Sequence, residues 1–309
     1  MKKKKIYIIV VLFLALSFGT YSFLPEFLVQ HHNTSALKNL NLEIKKINYD
    51  NDFFEYVEGG NTNRECIVLV HGFQSSKNFW VPYIREFSKN YSIIALDLPG
   101  HGNSSRPKNQ KYDLQSITDA FSKFIELKKI EKFHLIGTSL GGGIATVYTY
   151  NHPEKVKSLI LINPLGIDHV KKSELQNLLA EGKNLFFPNN LKEFDEMAFY
   201  ISGKSLNLSI FIKNHILNQM ISKYSFFKDA FNQLLTKTKP VDNLLPKIST
   251  PTLILIGKKD RIILPETYED FVKFMPNIKP IRLENGNHVL VDENLDIALK
   301  EINLFLNSN

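Results

Sequence analysis

The pentapeptide Gly137-Thr138-Ser139-Leu140-Gly141 sets a serine between two glycines, directly after the apolar run of residues 133–136 and directly before a helical stretch. A strand, a sharp turn and a helix in that order form the setting of a nucleophile elbow. The flanking glycines leave room for a backbone conformation that lifts the Ser139 hydroxyl clear of the sheet, at a helix N-terminus. A serine hydroxyl is a weak nucleophile at neutral pH and needs a base within hydrogen-bond reach, itself oriented by a third group. Of the nine histidines only His288, in Gly286-Asn287-His288, follows the last expected strand. His31 and His32 fall in a polar linker, His134 begins a strand, His152 closes a helix, and His169 and His215 belong to a helical insertion. Asp260, in Gly257-Lys258-Lys259-Asp260, stands just past another strand. A carboxylate there can accept the imidazole N–H and stabilise the imidazolium. Its plainer reading is a turn residue ahead of the helix that starts near Pro265. Asp168 competes for the acid role but sits further into the insertion.

Attack on an acyl carbon creates an oxyanion that needs preorganised donors, one of them usually the N–H of the residue after the nucleophile. That residue is Leu140. The loop after the third expected strand reads Val70-His71-Gly72-Phe73 and offers the Phe73 N–H as the second donor, with His71 bracing the loop. The turn Asp97-Leu98-Pro99-Gly100-His101-Gly102 reads as structural, with Asp97 fixing the loop.

These residues must be carried by a sheet. Strands are expected at 42–47, 53–57, 67–70, 92–96, 133–136, 159–162, 252–256 and 279–283, the first two as an antiparallel hairpin. Runs such as Ile67-Val68-Leu69-Val70 are apolar without alternation, as in strands covered on both faces. Helices are expected at 78–88, 114–127, 140–150, 265–274 and 295–306. The pattern is that of an α/β fold with a mostly parallel eight-stranded sheet and helices on both faces. Residues 166–245 carry no strand signal and read as several amphipathic helices, an insertion of the kind that forms a functional cap.

Composition agrees with one large α/β domain: 309 residues, 43% hydrophobic and 22% charged. Lys2 to Lys5 supply four of the seven net positive charges, so what remains gives no argument for nucleic-acid binding. The single cysteine, Cys66, permits neither an intramolecular disulfide nor a cysteine-based zinc site. After the lysines, residues 6–24 carry no charge and as a helix would measure about 28 Å, close to the hydrocarbon thickness of a bilayer. The expectation is a single-pass N-terminal anchor over residues 1–24, with the lysines cytoplasmic and the rest of the chain on the far side. A signal peptide cleaved near Ser17-Phe18-Gly19 is the alternative. Residues 25–41 then form a linker.

Over residues 42–307 the sequence resembles the α/β-hydrolase superfamily. The segments 70–80, 97–105, 133–143 and 151–163 are similar to those of the membrane-anchored monoacylglycerol lipase group and related bacterial cold-active lipases. The resemblance implies a core of residues 42–165 and 246–309, with the 166–245 cap between the sixth and seventh strands. It makes Ser139 the nucleophile, Asp260 the acid, His288 the base, and Phe73 and Leu140 the oxyanion donors. It also implies hydrolysis of acylglycerols or related lipid esters through an acyl-enzyme, with no metal or organic cofactor and the membrane met through the N-terminal segment. Gly142-Gly143 departs from the family pattern, where a bulkier residue often fills the second position. Two alternatives share the fold: a carbon–carbon bond hydrolase of ring-cleavage products with the same triad, and a non-catalytic binding protein.

Overall fold

The structure, a computed structural model, describes residues 40–168 and 171–309. The expected leader, most of the linker, and His31, His32 and His169 lie outside the described residues. Eight strands form one sheet: β1 Leu42–Tyr49, β2 Asp52–Gly60, β3 Cys66–Val70, β4 Ser92–Leu96, β5 Phe133–Thr138, β6 Val156–Ile162, β7 Thr252–Gly257 and β8 Ile278–Leu283. Their order is β1-β2-β4-β3-β5-β6-β7-β8. β1 and β2 pair antiparallel, β2 joins β4 antiparallel, and every later pairing is parallel. The hairpin register runs from Leu42 opposite Gly59 to Tyr49 opposite Asp52. Asp50 turns it with a φ of 49°, the left-handed backbone that a two-residue hairpin loop demands.

The central parallel strands are buried on both faces. Val68, Val70, Ile94, Leu96 and Leu135 pack on one side against Phe121 and Phe124 of α2 (Leu114–Lys128) and Ile144 and Tyr148 of α3 (Leu140–Asn151). Their sequence neighbours Ile67, Leu69, Ile93, Ala95 and Ile136 pack on the other against Ile84 and Phe87 of α1 (Val81–Phe87) and Ala298 and Ile302 of the C-terminal helix. This explains why the strands read as unbroken apolar runs.

The helix expected at 78–88 starts instead as a 3-10 turn, Lys77–Trp80, before α1, with a proline in the first turn of α1, where its missing N–H costs nothing. Between β6 and β7 stand four helices: α4 Glu174–Ala180, α5 Leu191–Ser202, α6 Ile210–Ser222 and α7 Tyr224–Lys237. α8 (Thr267–Phe274) and α9 (Asp292–Leu306) complete the chain. α9 begins three residues before the expected start, with Asp292 and Glu293 in its first turn, where negative charge favours a helix N-terminus. Among the described residues, no helix is long and apolar enough to cross a membrane.

A buried ion cluster ties the loops above β3 and β4 together. Lys77, 2% exposed, places Nζ 2.7 Å from both Glu55 Oε1 and Asp97 Oδ2. Burial pushes the ammonium toward neutrality, but Asp97 and Glu55 outweigh it and hold its pKa above the ordinary lysine value. Asp97 also accepts the backbone N–H groups of Lys77 (2.6 Å) and Asn103 (2.9 Å). Every member is thus satisfied, the condition under which a buried charge is tolerated. The cluster clamps the loop that carries Phe73 onto the turn at 97–103.

Candidate active site

Strand order decides which loops meet. β3, β5, β6, β7 and β8 lie side by side and run parallel, so the loops at their carboxyl ends form one row. Such a rim is where open α/β sheets bind ligands. The row holds His71 to Phe73, Ser139, Asn163, Asp260 and His288.

At the end of β5, Ser139 adopts φ 53° and ψ −120°, a backbone state that costs a non-glycine residue of order 1–3 kcal/mol. Three hydrogen bonds hold it: its N–H donates to the Ile162 carbonyl (3.0 Å), and its own carbonyl accepts from Gly143 (3.1 Å) and Leu165 (2.9 Å). The glycines around it are sterically required. A Cβ on Gly141 would lie 2.1 Å from the Val70 carbonyl oxygen, and one on Gly137 would lie 2.2 Å from the Gly141 carbonyl oxygen. The departure at Gly142 has a partner too. Pro164 occupies the space, 2.7 Å from where a Cβ would stand, and also walls the cavity over Ser139.

His288 and Asp260 are in contact: His288 Nδ1 lies 2.7 Å from Asp260 Oδ2, with both residues buried. The other Asp260 oxygen accepts the N–H groups of Ile262 (2.7 Å) and Ile263 (2.9 Å), which fixes the carboxylate. With Nδ1 donating to the carboxylate, Nε2 is left as the acceptor nitrogen. Asp168 is exposed on the cavity wall, its N–H 3.4 Å from Asp242. The Ser139 hydroxyl makes no hydrogen bond among the described residues. The Asp260 carboxylate and the His288 imidazole are thus assembled as a hydrogen-bonded pair.

The loop after β3 packs against the serine. A Cβ on Gly72 would lie 3.2 Å from Ser139 Cβ. His71 is fully buried, with Nδ1 2.7 Å from the Gly72 carbonyl and Nε2 accepting the Leu98 N–H at 3.1 Å. Burial lowers its pKa to about 4, so the ring is neutral and Nδ1 is the donor. Because the two dipoles of a trans peptide point opposite ways, holding the Gly72 carbonyl aims the Phe73 N–H away from His71. The N–H groups of Phe73 and Leu140 make no backbone hydrogen bond among the described residues. Both residues line the Ser139 cavity.

One positioning residue was not foreseen. Asn163, fully buried with φ 44°, accepts the Gly257 N–H through Oδ1 (2.8 Å) and donates through Nδ2 to the carbonyls of Asn287 (3.0 Å) and His288 (2.8 Å). It ties the His288 loop to the ends of β6 and β7, one residue beyond the carbonyl that holds Ser139. Its only signal is a polar residue closing the apolar run 159–162 ahead of Pro164.

The cavity over Ser139 measures about 370 Å³. Its walls are mostly aliphatic: Leu165, Ile167, Leu175, Leu179, Leu234 and Ile263, with Phe73, Phe186 and Phe231. A larger groove of about 670 Å³ runs past Asp260 but is lined by charged and polar residues such as Lys204, Lys258 and Arg261 and does not include Ser139; His288 lines neither space. Cys66 is no rival nucleophile, since burial pushes its thiol up to about 12. Among the described residues, no group of histidine, cysteine, aspartate and glutamate side chains could hold a metal ion.

Comparison with known proteins places the chain in context. Residues 65–198 match the family model described as the alpha/beta hydrolase fold. Monoacylglycerol lipase ABHD6 of Homo sapiens is 26% identical over 281 residues, covering 87% of this chain and 83% of that protein. Lipase 1 of Psychrobacter immobilis is 29% identical over 260 residues, covering 82% and 81%. The crystal structure of a membrane phospholipase A, a bacterial virulence factor, superposes with a TM-score of 0.91 at 30% identity, over 99% of this chain and 98% of that one.

Proposed function

The chain belongs to the α/β-hydrolase fold family and is a hydrolase, and we propose that it cleaves carboxylic esters of lipids, acylglycerols foremost, through a Ser139 acyl-enzyme. The observation that carries the reading is an elbow serine opening into a mostly aliphatic cavity beside a hydrogen-bonded Asp260–His288 pair. In this reading His288 Nε2 takes the proton of Ser139 as Oγ attacks the ester carbon. The N–H groups of Phe73 and Leu140 receive the oxyanion. Collapse expels the alcohol, protonated by His288, and water then releases the acid by the same route. Residues 166–245 act as the cap that shapes the acyl space.

The aromatic residues of that segment do less here than their number promises. Only Phe186 and Phe231 line the cavity, while Phe187, Tyr224 and Phe227 pack with Phe231 within the helical layer and Phe194 packs with Met197 and Leu217. The acyl-facing surface is supplied chiefly by leucine and isoleucine. Each methylene buried there contributes about 0.8 kcal/mol, so two more shift a specificity constant by more than tenfold. Specificity constants for monoacylglycerols are expected to climb from short to medium acyl chains, measured by fatty-acid release. A flat or falling profile overturns the lipid-ester reading. A charged diacid from ring cleavage finds little welcome, since the cation on the cavity wall, Lys171, is in contact with Glu266.

The uncharged segment 6–24 behind Lys2 to Lys5 supports attachment to the membrane, with the hydrolase on the non-cytoplasmic side. Mass spectrometry of the mature chain should then find an intact N-terminus in the membrane fraction. A start near Thr20 sinks the anchor in favour of a cleaved signal.

A further inference from the structure

Helices α4 and α5, which stand between β6 and β7, touch the loops of both the acid and the base. The N–H of Leu175, in the first turn of α4, donates to the Arg261 carbonyl (3.0 Å), and the Tyr200 hydroxyl of α5 reaches the same oxygen at 3.4 Å. Leu175 and Tyr200 also pack with Ile262, whose N–H holds the Asp260 carboxylate. On the other loop, the Val289 N–H donates to the Ile201 carbonyl at 3.1 Å, and Lys204 pairs with Asp292 at the start of α9. The residues that follow His288 are thus held by the end of α5.

The residue before His288 meets a glycine. α5 closes on Gly203, whose φ of 72° and N–H to the Phe199 carbonyl (2.7 Å) make a left-handed cap. A cap of this kind can need glycine for its backbone alone. Gly182, after α4, is such a case: its φ is 78°, and an added Cβ would meet nothing within 4 Å among the described residues. At Gly203 a Cβ would lie 2.3 Å from Asn287 Nδ2, 2.8 Å from its Cγ and 3.1 Å from its Oδ1. Turning the amide about χ2 leaves Cγ where it is, so relief requires χ1 or the backbone of residue 287 to move. That backbone leads into His288, and Asn163 holds the carbonyls of both residues.

We propose that Gly203 is a positioning residue for His288: its bare Cα lets the end of α5 seat against Asn287, so that this helix and Asn163 together fix the loop that carries the base. The role deepens the Ser139 reading and rests on His288 being its base. It makes α5 part of what orients the imidazole, although Gly203 itself does not line the cavity over Ser139.

The test is a mutant cycle on the full chain, with a medium-chain monoacylglycerol as substrate. Misplacing a catalytic group can cost up to about 10²-fold, so Gly203→Ala should lower kcat about tenfold while leaving KM nearly as it was. Alanine at a positive φ also strains the end of α5, whatever Asn287 does. Asn287→Ala separates the two causes, because it removes Cγ, Oδ1 and Nδ2 and leaves the strain. Made in the Asn287→Ala background, Gly203→Ala should therefore cost less than about twofold in kcat, while any drop in thermal midpoint persists. If Gly203→Ala does not fold, Gly203→Asn takes its place, since asparagine tolerates left-handed backbone yet carries a Cβ, and the same loss and the same relief are expected. A tenfold loss in both backgrounds, or none in the parent, overturns the proposal. His288→Ala keeps the two readings apart. If it retains turnover, the base is misassigned and the positioning role falls with it. If it is inactive while Gly203→Ala matches the parent, the positioning role alone is rejected.

Discussion

Ser139→Ala is expected to lower ester turnover by roughly 10⁴-fold or more, His288→Ala to cost about as much, and the double variant to lose little beyond either single one. The reason is that Ser139, His288 and Asp260 activate a single hydroxyl. Once the hydroxyl is gone the base has nothing to deprotonate, and once the base is gone the hydroxyl is an ordinary alcohol. What remains in each variant is binding and the N–H groups of Phe73 and Leu140, which neither substitution touches. Purified variants assayed on one medium-chain monoacylglycerol give the numbers, and an activated-phosphonate serine reagent gives an independent reading. Ser139→Ala should take up no label and His288→Ala should label slowly. Losses that multiply across the double variant, or labelling that persists without Ser139, would falsify the assignment.

How far this site could be read from the sequence depended on what each residue has to do locally. Gly137 and Gly141 are forced by contacts of 2.2 and 2.1 Å with nearby backbone, so glycine is the residue type the turn permits and the elbow announces itself. The central strands β3, β4 and β7 were legible because both their faces are covered and their apolar runs contain no charged interruption. Strand ends were less so: β6 begins at Val156 and not at 159, because its first residues pair with β5 across a register shift near Phe133 and carry the polar Ser158 and Lys157. Asn163 was missed because its work is wholly tertiary. Its side chain reaches loops more than ninety residues away in sequence, and nothing beside it in the chain records that. Of the ion cluster only Asp97 was legible, as a residue that fixes its loop; its partners Glu55 and Lys77 come from two other elements, and each alone looks like a surface charge. The aromatic residues of 166–245 are a poor guide to the cavity, since among them only Phe186 and Phe231 line it. Ring content reports that an apolar surface exists, and the arrangement of the helices decides whether it faces a ligand or another helix.

Asp260→Asn is expected to lower turnover by about 10⁴-fold while leaving the fold in place, and the geometry gives the reason. One carboxylate oxygen, Oδ1, is committed to the N–H groups of Ile262 and Ile263, and the other, Oδ2, faces His288 Nδ1. An asparagine keeps the two backbone contacts only by placing its carbonyl oxygen where Oδ1 stood. Its NH2 group then points at Nδ1 and can only donate. The imidazole must answer by carrying its proton on Nε2, the tautomer that cannot take a proton from Ser139. The alternative flip satisfies the imidazole but sets an NH2 against two N–H donors in a buried site, a conflict that costs about as much as a lost hydrogen bond to each. Either way the base is lost while volume and packing are kept, so the thermal midpoint should move little compared with the loss of rate. Asp168→Asn provides the contrast, because that carboxylate is exposed on the cavity wall and its change should leave turnover within a few-fold of the parent. Steady-state rates for the two variants, with melting curves beside them, settle the matter: if Asp168→Asn carries the large loss and Asp260→Asn stays active, Asp260 is only the turn residue that binds Ile262 and Ile263, and the acid lies on the other side of the cavity.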